Sequence, residues 1–207
     1  MSFPSTSKQV VGTGTYYGGG VGEDFVPDQA KGLKKIGLFG HSYTSRFAVD
    51  KPLLFPGHYL KVFDVPGGKV SSIRNTNKWQ ALLSYSPDLT ILMIGGNDIN
   101  ANTSPKELAL EIEQLAQEIE TETQGHCIIF GIESRVRPRG ISADTFNKIK
   151  NGVNRWLKRL LPFTRSRYHS MCMKKEDLVD GVHLTYAAQG NLYKRMVRIA
   201  TEFFNLD

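Results

Sequence analysis

Four short stretches of this 207-residue chain combine the residue types that acyl transfer needs. Ser42 lies in Gly40-His41-Ser42-Tyr43-Thr44, where a glycine lets the chain turn sharply and present a hydroxyl. Near the other end, in Asp177-Leu178-Val179-Asp180-Gly181-Val182-His183-Leu184, Asp180 stands three residues before His183. A carboxylate at that spacing can bond the imidazole Nδ1 and leave Nε2 outward as a base. Two glycine-rich turns, Val65-Pro66-Gly67-Gly68-Lys69 and Ile94-Gly95-Gly96-Asn97-Asp98, offer an unobstructed backbone N–H at Gly68 and a donating carboxamide at Asn97. Each stretch alone has an ordinary reading: a helix cap at Ser42, a tight turn at Gly67-Gly68, a turn-and-cap pair at Asn97-Asp98, a turn at Asp180-Gly181. Together they complete a set. Ser42 would be the nucleophile, His183 its base and Asp180 the orienting acid, with the Ser42 N–H, the Gly68 N–H and the Asn97 side chain facing an oxyanion.

Such residues must be brought to one edge, and the hydrophobic pattern says how. Apolar runs at Lys34–Gly40, Tyr59–Asp64, Asp88–Ile94 and His126–Ile132 have the length and character of buried strands. Between the last two, Ser104 caps a helix that has Pro105 at its first position. That helix carries Leu108, Ile112, Leu115 and Ile119 on one face, and Gly125 can stop it. A second helix is expected from about Asp144 to Leu161, with Phe146, Ile149, Val153, Trp156, Leu157 and Leu160 inward and Lys148, Lys150, Arg155, Lys158 and Arg159 outward. A third runs from Tyr186 to Phe204. Buried strands alternating with helices predict an α/β fold around a parallel sheet, and ligands of such sheets bind at the carboxyl ends of the strands. All but one of the four stretches directly follow a strand.

At these residues the chain resembles the SGNH (GDSL-like) hydrolase superfamily, which carries serine, glycine, asparagine and histidine blocks in this order. The correspondence covers about residues 34–204, through Gly40-His41-Ser42, Gly67-Gly68, Gly95-Gly96-Asn97-Asp98 and Asp180-Gly181-Val182-His183. It implies a three-layer α/β/α sandwich with a flavodoxin-like five-stranded parallel sheet, hence one more strand around Arg167–Met173. It also implies a serine esterase that cleaves carboxylic esters, short-chain or O-acetyl, through an acyl-enzyme on Ser42, with no metal or organic cofactor. The chain departs from the family at His41, where the family usually has aspartate. Gly-His-Ser together with Arg135-Val136-Arg137-Pro138-Arg139-Gly140 and Phe146-Asn147-Lys148 is also similar to a subgroup found in retroelement-type or phage-like open reading frames. The α/β-hydrolase pattern is excluded, since its Gly-x-Ser-x-Gly elbow needs glycine where Thr44 stands.

Composition narrows the rest. With 40% hydrophobic and 22% charged residues the chain fits one globular domain over residues 33–207, and residues 1–32, rich in Ser, Thr and Gly, are expected to be a flexible tail. No apolar run approaches the roughly 20 residues of a membrane span, and no secretory segment opens the chain, so an intracellular, cytoplasmic setting is expected. Cys127 and Cys172, 45 positions apart in apolar surroundings, read as buried free thiols. The net charge of +6 is uneven: between Ser134 and Tyr168 ten basic residues face one acid, a local +9. A rival expectation follows, a catalytically weak module that binds nucleic acid or anionic membrane through Arg135, Arg137, Arg139, Lys148, Arg155, Lys158 and Arg159. Phe146 and Trp156 fall on the core face of their helix and so are not stacking platforms.

Overall fold

A computed structural model describes residues 33–45, 58–164, 166–171 and 173–205. The expected tail over 1–32 and the thiol of Cys172 lie outside the described residues. Five strands, β1 (Lys34–Gly40), β2 (His58–Asp64), β3 (Leu89–Met93), β4 (His126–Phe130) and β5 (Arg167–His169), form one sheet in the order β2-β1-β3-β4-β5. Every pairing is parallel. This is the flavodoxin-like order, and β1, at the point where the strand order reverses, carries Ser42 just beyond its end.

Strand side chains alternate between two cores. Phe39, Leu92, Cys127 and Ile129 face one side of the sheet, while Leu38, Ile91, Ile128 and Phe130 face the other. Because both faces are covered, the strands read as continuous apolar runs rather than alternating ones. The first side is covered by α1 (Val70–Ile73), α2 (Asn77–Tyr85), α3 (Pro105–Thr123) and α4 (Ala143–Leu160). On the second side α5 (Tyr186–Phe204) packs Ala188, Leu192, Met196, Ile199 and Phe203. Three layers result. Together with the strand order they meet the fold expectation. No described helix is long and apolar enough to cross a membrane.

Local signals explain most boundaries. The Ser104 hydroxyl accepts from the Glu107 N–H, with Pro105 in the first turn, and Ser142 and Thr185 cap α4 and α5 in the same way. At the far end of α3 the left-handed cap residue is Gln124, φ 57°, one position before the expected Gly125. The crossover between β2 and β3, α1 and α2, carried no strong periodicity; Thr76 caps α2, which buries Trp79 and Leu82. In α4, Trp156 and Leu160 are half-buried rather than core.

The end of β4 depends on α4. Beyond Phe130 the chain outruns β5, which stops at His169. The Asn154 side chain fills the gap: its Oδ1 accepts the Ile132 N–H and its Nδ2 donates to the Ile132 carbonyl, both at 2.9 Å. Two positions of that backbone would be left unpaired without it, and Ile132 is buried. Asn154→Ala should therefore lower stability by about 1–3 kcal/mol, measured by urea denaturation, whereas the neighbouring exposed Asn151→Ala should stay near wild type.

Candidate functional site

Ser42 leaves β1 through a turn that has little freedom. A Cβ on Gly40 would lie 2.0 Å from the Met93 carbonyl oxygen, so only glycine lets β1 end this close to β3. The next residue, His41, donates its N–H to that same carbonyl at 3.1 Å. Residues 42–45 then open a helical turn. Thr44, completely buried, ties the turn back with its hydroxyl donating to the His41 carbonyl at 2.7 Å and the Gly40 carbonyl at 3.2 Å. Placed at the start of a helical turn, the Ser42 N–H is among the amides with no intrahelical acceptor.

The histidine arrives from the loop before α5. An isolated bridge between Leu178 and Leu184, with Val179 N–H to the His183 carbonyl at 2.8 Å and Thr185 N–H to the Asp177 carbonyl at 2.7 Å, folds residues 177–185 back on themselves. Within this loop Asp180 is used three times. Its Oδ1 accepts the N–H of Val182 (2.9 Å) and of His183 (2.7 Å), and its Oδ2 lies 2.7 Å from His183 Nδ1. The hydrogen bonds from His183, side chain first and backbone second, hold the Asp180 carboxyl well below the usual range despite slight burial, so it is ionised. On the other side of the ring, Nε2 is 3.2 Å from Ser42 Oγ. The buried Tyr43 donates its hydroxyl to the Val182 carbonyl and meets the His183 ring edge-on, linking the serine turn to the histidine loop. Ser42, His183 and Asp180 are thus adjacent and in the order that proton transfer requires.

The two glycine-bearing loops come to the same edge but differ from expectation in one respect. Val65-Pro66-Gly67-Gly68 is a β-turn with proline at its second position and Gly67 at φ +72°, and its closing bond is Gly68 N–H to the Val65 carbonyl at 2.8 Å. The Gly68 N–H, expected to face an oxyanion, is spent in that turn. Its carbonyl instead accepts from Asn97 Nδ2 at 3.1 Å. Asp98, beside it, accepts the Val70 N–H on Oδ1 at 3.0 Å, fastening the start of α1, while its Oδ2 is buried without a partner. Burial pushes its carboxyl up to about 6, against the Val70 bond that pulls it down.

One residue of the supposed basic surface belongs here. Arg135 turns inward and donates from Nη2 to Asn97 Oδ1 at 2.9 Å. Arg137 and Arg139 remain exposed in their loop, and Lys148, Arg155, Lys158 and Arg159 stay on the solvent side of α4, with Lys158 over the Tyr168 ring and Arg159 over the Trp156 ring. An ordinary solvated helix face accounts for these four. What pattern reading missed at the site is Tyr43, Arg135 and Asn147. The first two were in view, one beside Ser42 and one just past the fourth strand, where the carboxyl-edge rule directs attention; Arg135 was read only for its charge.

Residues 38–190 match the GDSL-like Lipase/Acylhydrolase family. The chain belongs to that family. None of the curated proteins matches it in sequence. Among solved structures it is similar to a carbohydrate acetylesterase from Sinorhizobium meliloti, at 16% identity and a TM-score of 0.64 over 82% of this chain and 99% of that one. An aryl esterase from M. smegmatis aligns at 17% identity and TM-score 0.61 over 82% and 99%, and a family 3 carbohydrate esterase from Talaromyces cellulolyticus at 11% and 0.62 over 84% and 100%. At such identities these likenesses establish the sandwich fold, and the family match makes the chain a hydrolase of the acylhydrolase kind.

His41, where this family usually has aspartate, is buried and neutral: burial first, then the Arg135 guanidinium and His183, lower its pKa to about 3. Because folding depresses this pKa, the unfolded chain takes up the proton first. Stability is unaffected by this group above pH 6.5 and is lost as the pH falls from there toward about 3, at up to about 1.4 kcal/mol per pH unit. His41→Asn should therefore flatten the acid limb of a melting-temperature profile between pH 6.5 and 4; parallel profiles for the two proteins would contradict the neutral buried imidazole.

Proposed function

We propose that the protein is a serine esterase that hydrolyses carboxylic esters through an acyl-enzyme on Ser42. One observation carries this reading, the chain of contacts from Ser42 Oγ to His183 Nε2 at 3.2 Å and from His183 Nδ1 to Asp180 Oδ2 at 2.7 Å. Ser42 Oγ attacks the ester carbonyl as Nε2 takes its proton. Ionised Asp180 fixes the tautomer with the proton on Nδ1 and stabilises the imidazolium that forms. The tetrahedral intermediate collapses, the C–O bond to the alcohol breaks, and His183 returns the proton to the leaving oxygen. Water, deprotonated by the same Nε2, then attacks the acyl carbon and releases the acid and free Ser42.

The developing oxyanion is met by the Ser42 N–H and by the second N–H of the Asn97 carboxamide, the first being held by Gly68. Gly68 acts through Asn97 rather than as a donor itself. For substrate we propose short-chain or O-acetyl esters. The carbohydrate acetylesterase among the structural relatives supports an acetyl group as the one removed.

A fluorophosphonate probe should label the wild type and leave Ser42→Ala and His183→Ala unlabelled. Ser42→Ala should abolish hydrolysis of p-nitrophenyl acetate while its circular dichroism and melting stay near wild type; persistent turnover would remove Ser42 from the reaction. Asn97→Ala should reduce kcat by about 10²–10³.

A further inference from the structure

Arg135 occupies an unusual place for an arginine. Its guanidinium lies against the ring of buried Phe146, 5.1 Å from the centroid, and over the backbone of Gly96, where a Cβ would be 2.8 Å from Nη2. The backbone that carries it is gripped by one side chain. Asn147 of α4 accepts the Arg135 N–H on Oδ1 at 3.2 Å and donates Nδ2 to its carbonyl at 3.1 Å. The next two residues hold the histidine loop, with the N–H groups of Val136 (2.7 Å) and Arg137 (3.2 Å) both directed at the Gly181 carbonyl. His41 Nε2 lies on the same side of Gly96 as the guanidinium, 3.5 Å from where a Cβ would stand, and its buried imidazole is uncharged beside the cation.

The consequence falls on Asn97. A free carboxamide can rotate by half a turn and exchange its oxygen for its nitrogen at little cost. Here Oδ1 accepts a charged donor and Nδ2 donates to the Gly68 carbonyl, so the reversed arrangement would set an NH₂ against a guanidinium and an oxygen against a carbonyl. Only one orientation satisfies both neighbours, and in it one N–H of Nδ2 is committed to Gly68 while the second is left over. A charge-assisted bond to the amide oxygen also draws electron density from the nitrogen, strengthening the remaining N–H as a donor. The cation sits at the oxygen end of the carboxamide, away from its donating nitrogen.

We propose that Arg135 is the positioning residue of Asn97, locking its carboxamide in the oxyanion-stabilising orientation and polarising it. This rests on the serine-esterase reading given above. It assigns Arg135 an effect on the transition state rather than on substrate affinity, and it makes that effect conditional on Asn97.

The experiment is a double-mutant cycle in kcat and KM for p-nitrophenyl acetate, using Arg135→Ala, Asn97→Ala and the pair, with Arg135→Lys alongside. Arg135→Ala should lower kcat by about 10- to 100-fold with KM nearly unchanged, and guanidinium chloride at millimolar concentration should restore part of the loss. Arg135→Lys, which keeps charge but not the planar fork, should fall between the two. In the Asn97→Ala background, Arg135→Ala should have little further effect. Full additivity of the two losses, or wild-type kcat in Arg135→Ala, would overturn the proposal. If Arg135→Ala melts early, the Arg135→Lys values and the guanidinium rescue still decide it, because a purely structural role would give no rescue at native temperature. Equal turnover by wild type and Ser42→Ala would instead defeat the serine-esterase reading, an outcome separable from every one of these.

Discussion

The contact between Gly40 and the Met93 carbonyl sets the scale of the whole site. Parallel strands in register already lie close, but here the end of β1 has no side chain to keep the next backbone away, and His41 continues the ladder onto the same carbonyl. The chains leaving β1 and β3 therefore diverge from a shared point. One runs into the serine turn and the other through Gly95-Gly96 to Asn97. Any larger residue at position 40 would part the strands and move the Ser42 turn away from the Asn97 loop.

Around that seam the charges are arranged with an economy set by burial. A carboxylate that remains ionised, Asp180, lies partly exposed and is satisfied by two backbone N–H groups and the imidazole. Burial shifts the deeper groups toward neutrality, bringing the His41 imidazole down to about 3 and the Asp98 carboxyl up to about 6. Arg135 is the exception, since guanidinium ions do not deprotonate in proteins. A cation that cannot discharge must be satisfied by geometry, and an aromatic face with an amide oxygen does this without neutralising it.

Much of this architecture was legible in the sequence. Long buried strands with glycine or aspartate at their ends, and helices introduced by Ser104 and Thr185, carry their information locally, and the observed spans agree with the patterns to within a few residues. Ser42, His183 and Asp180 could be grouped in advance because the proposed roles call for specific residue types, and their side chains are adjacent. The remainder is non-local. The short α1 is held by an Asp98 carboxyl from another loop, and nothing within residues 70–73 announces a helix. Gly67-Gly68 reads equally as a donor nest or as a proline-led β-turn, and only the Val65 carbonyl decides between them. Arg135 sits among ten basic residues whose types are indistinguishable until their partners are known; one of them meets an asparagine 38 positions away.

Asn147 and Asn154 are seven residues apart on α4 and perform the same act on Arg135 and Ile132, each presenting a primary amide to a backbone N–H and carbonyl together. Chemically each side chain imitates a peptide group. The helix thus supplies two rungs where the described part of β5 supplies none, continuing the hydrogen bonding of β4 past the end of that three-residue strand. Unpaired strand ends invite pairing with other molecules. Here the stretch beyond β4 is paired from within, so a final strand of three residues leaves neither Ile132 nor Arg135 with an unsatisfied backbone.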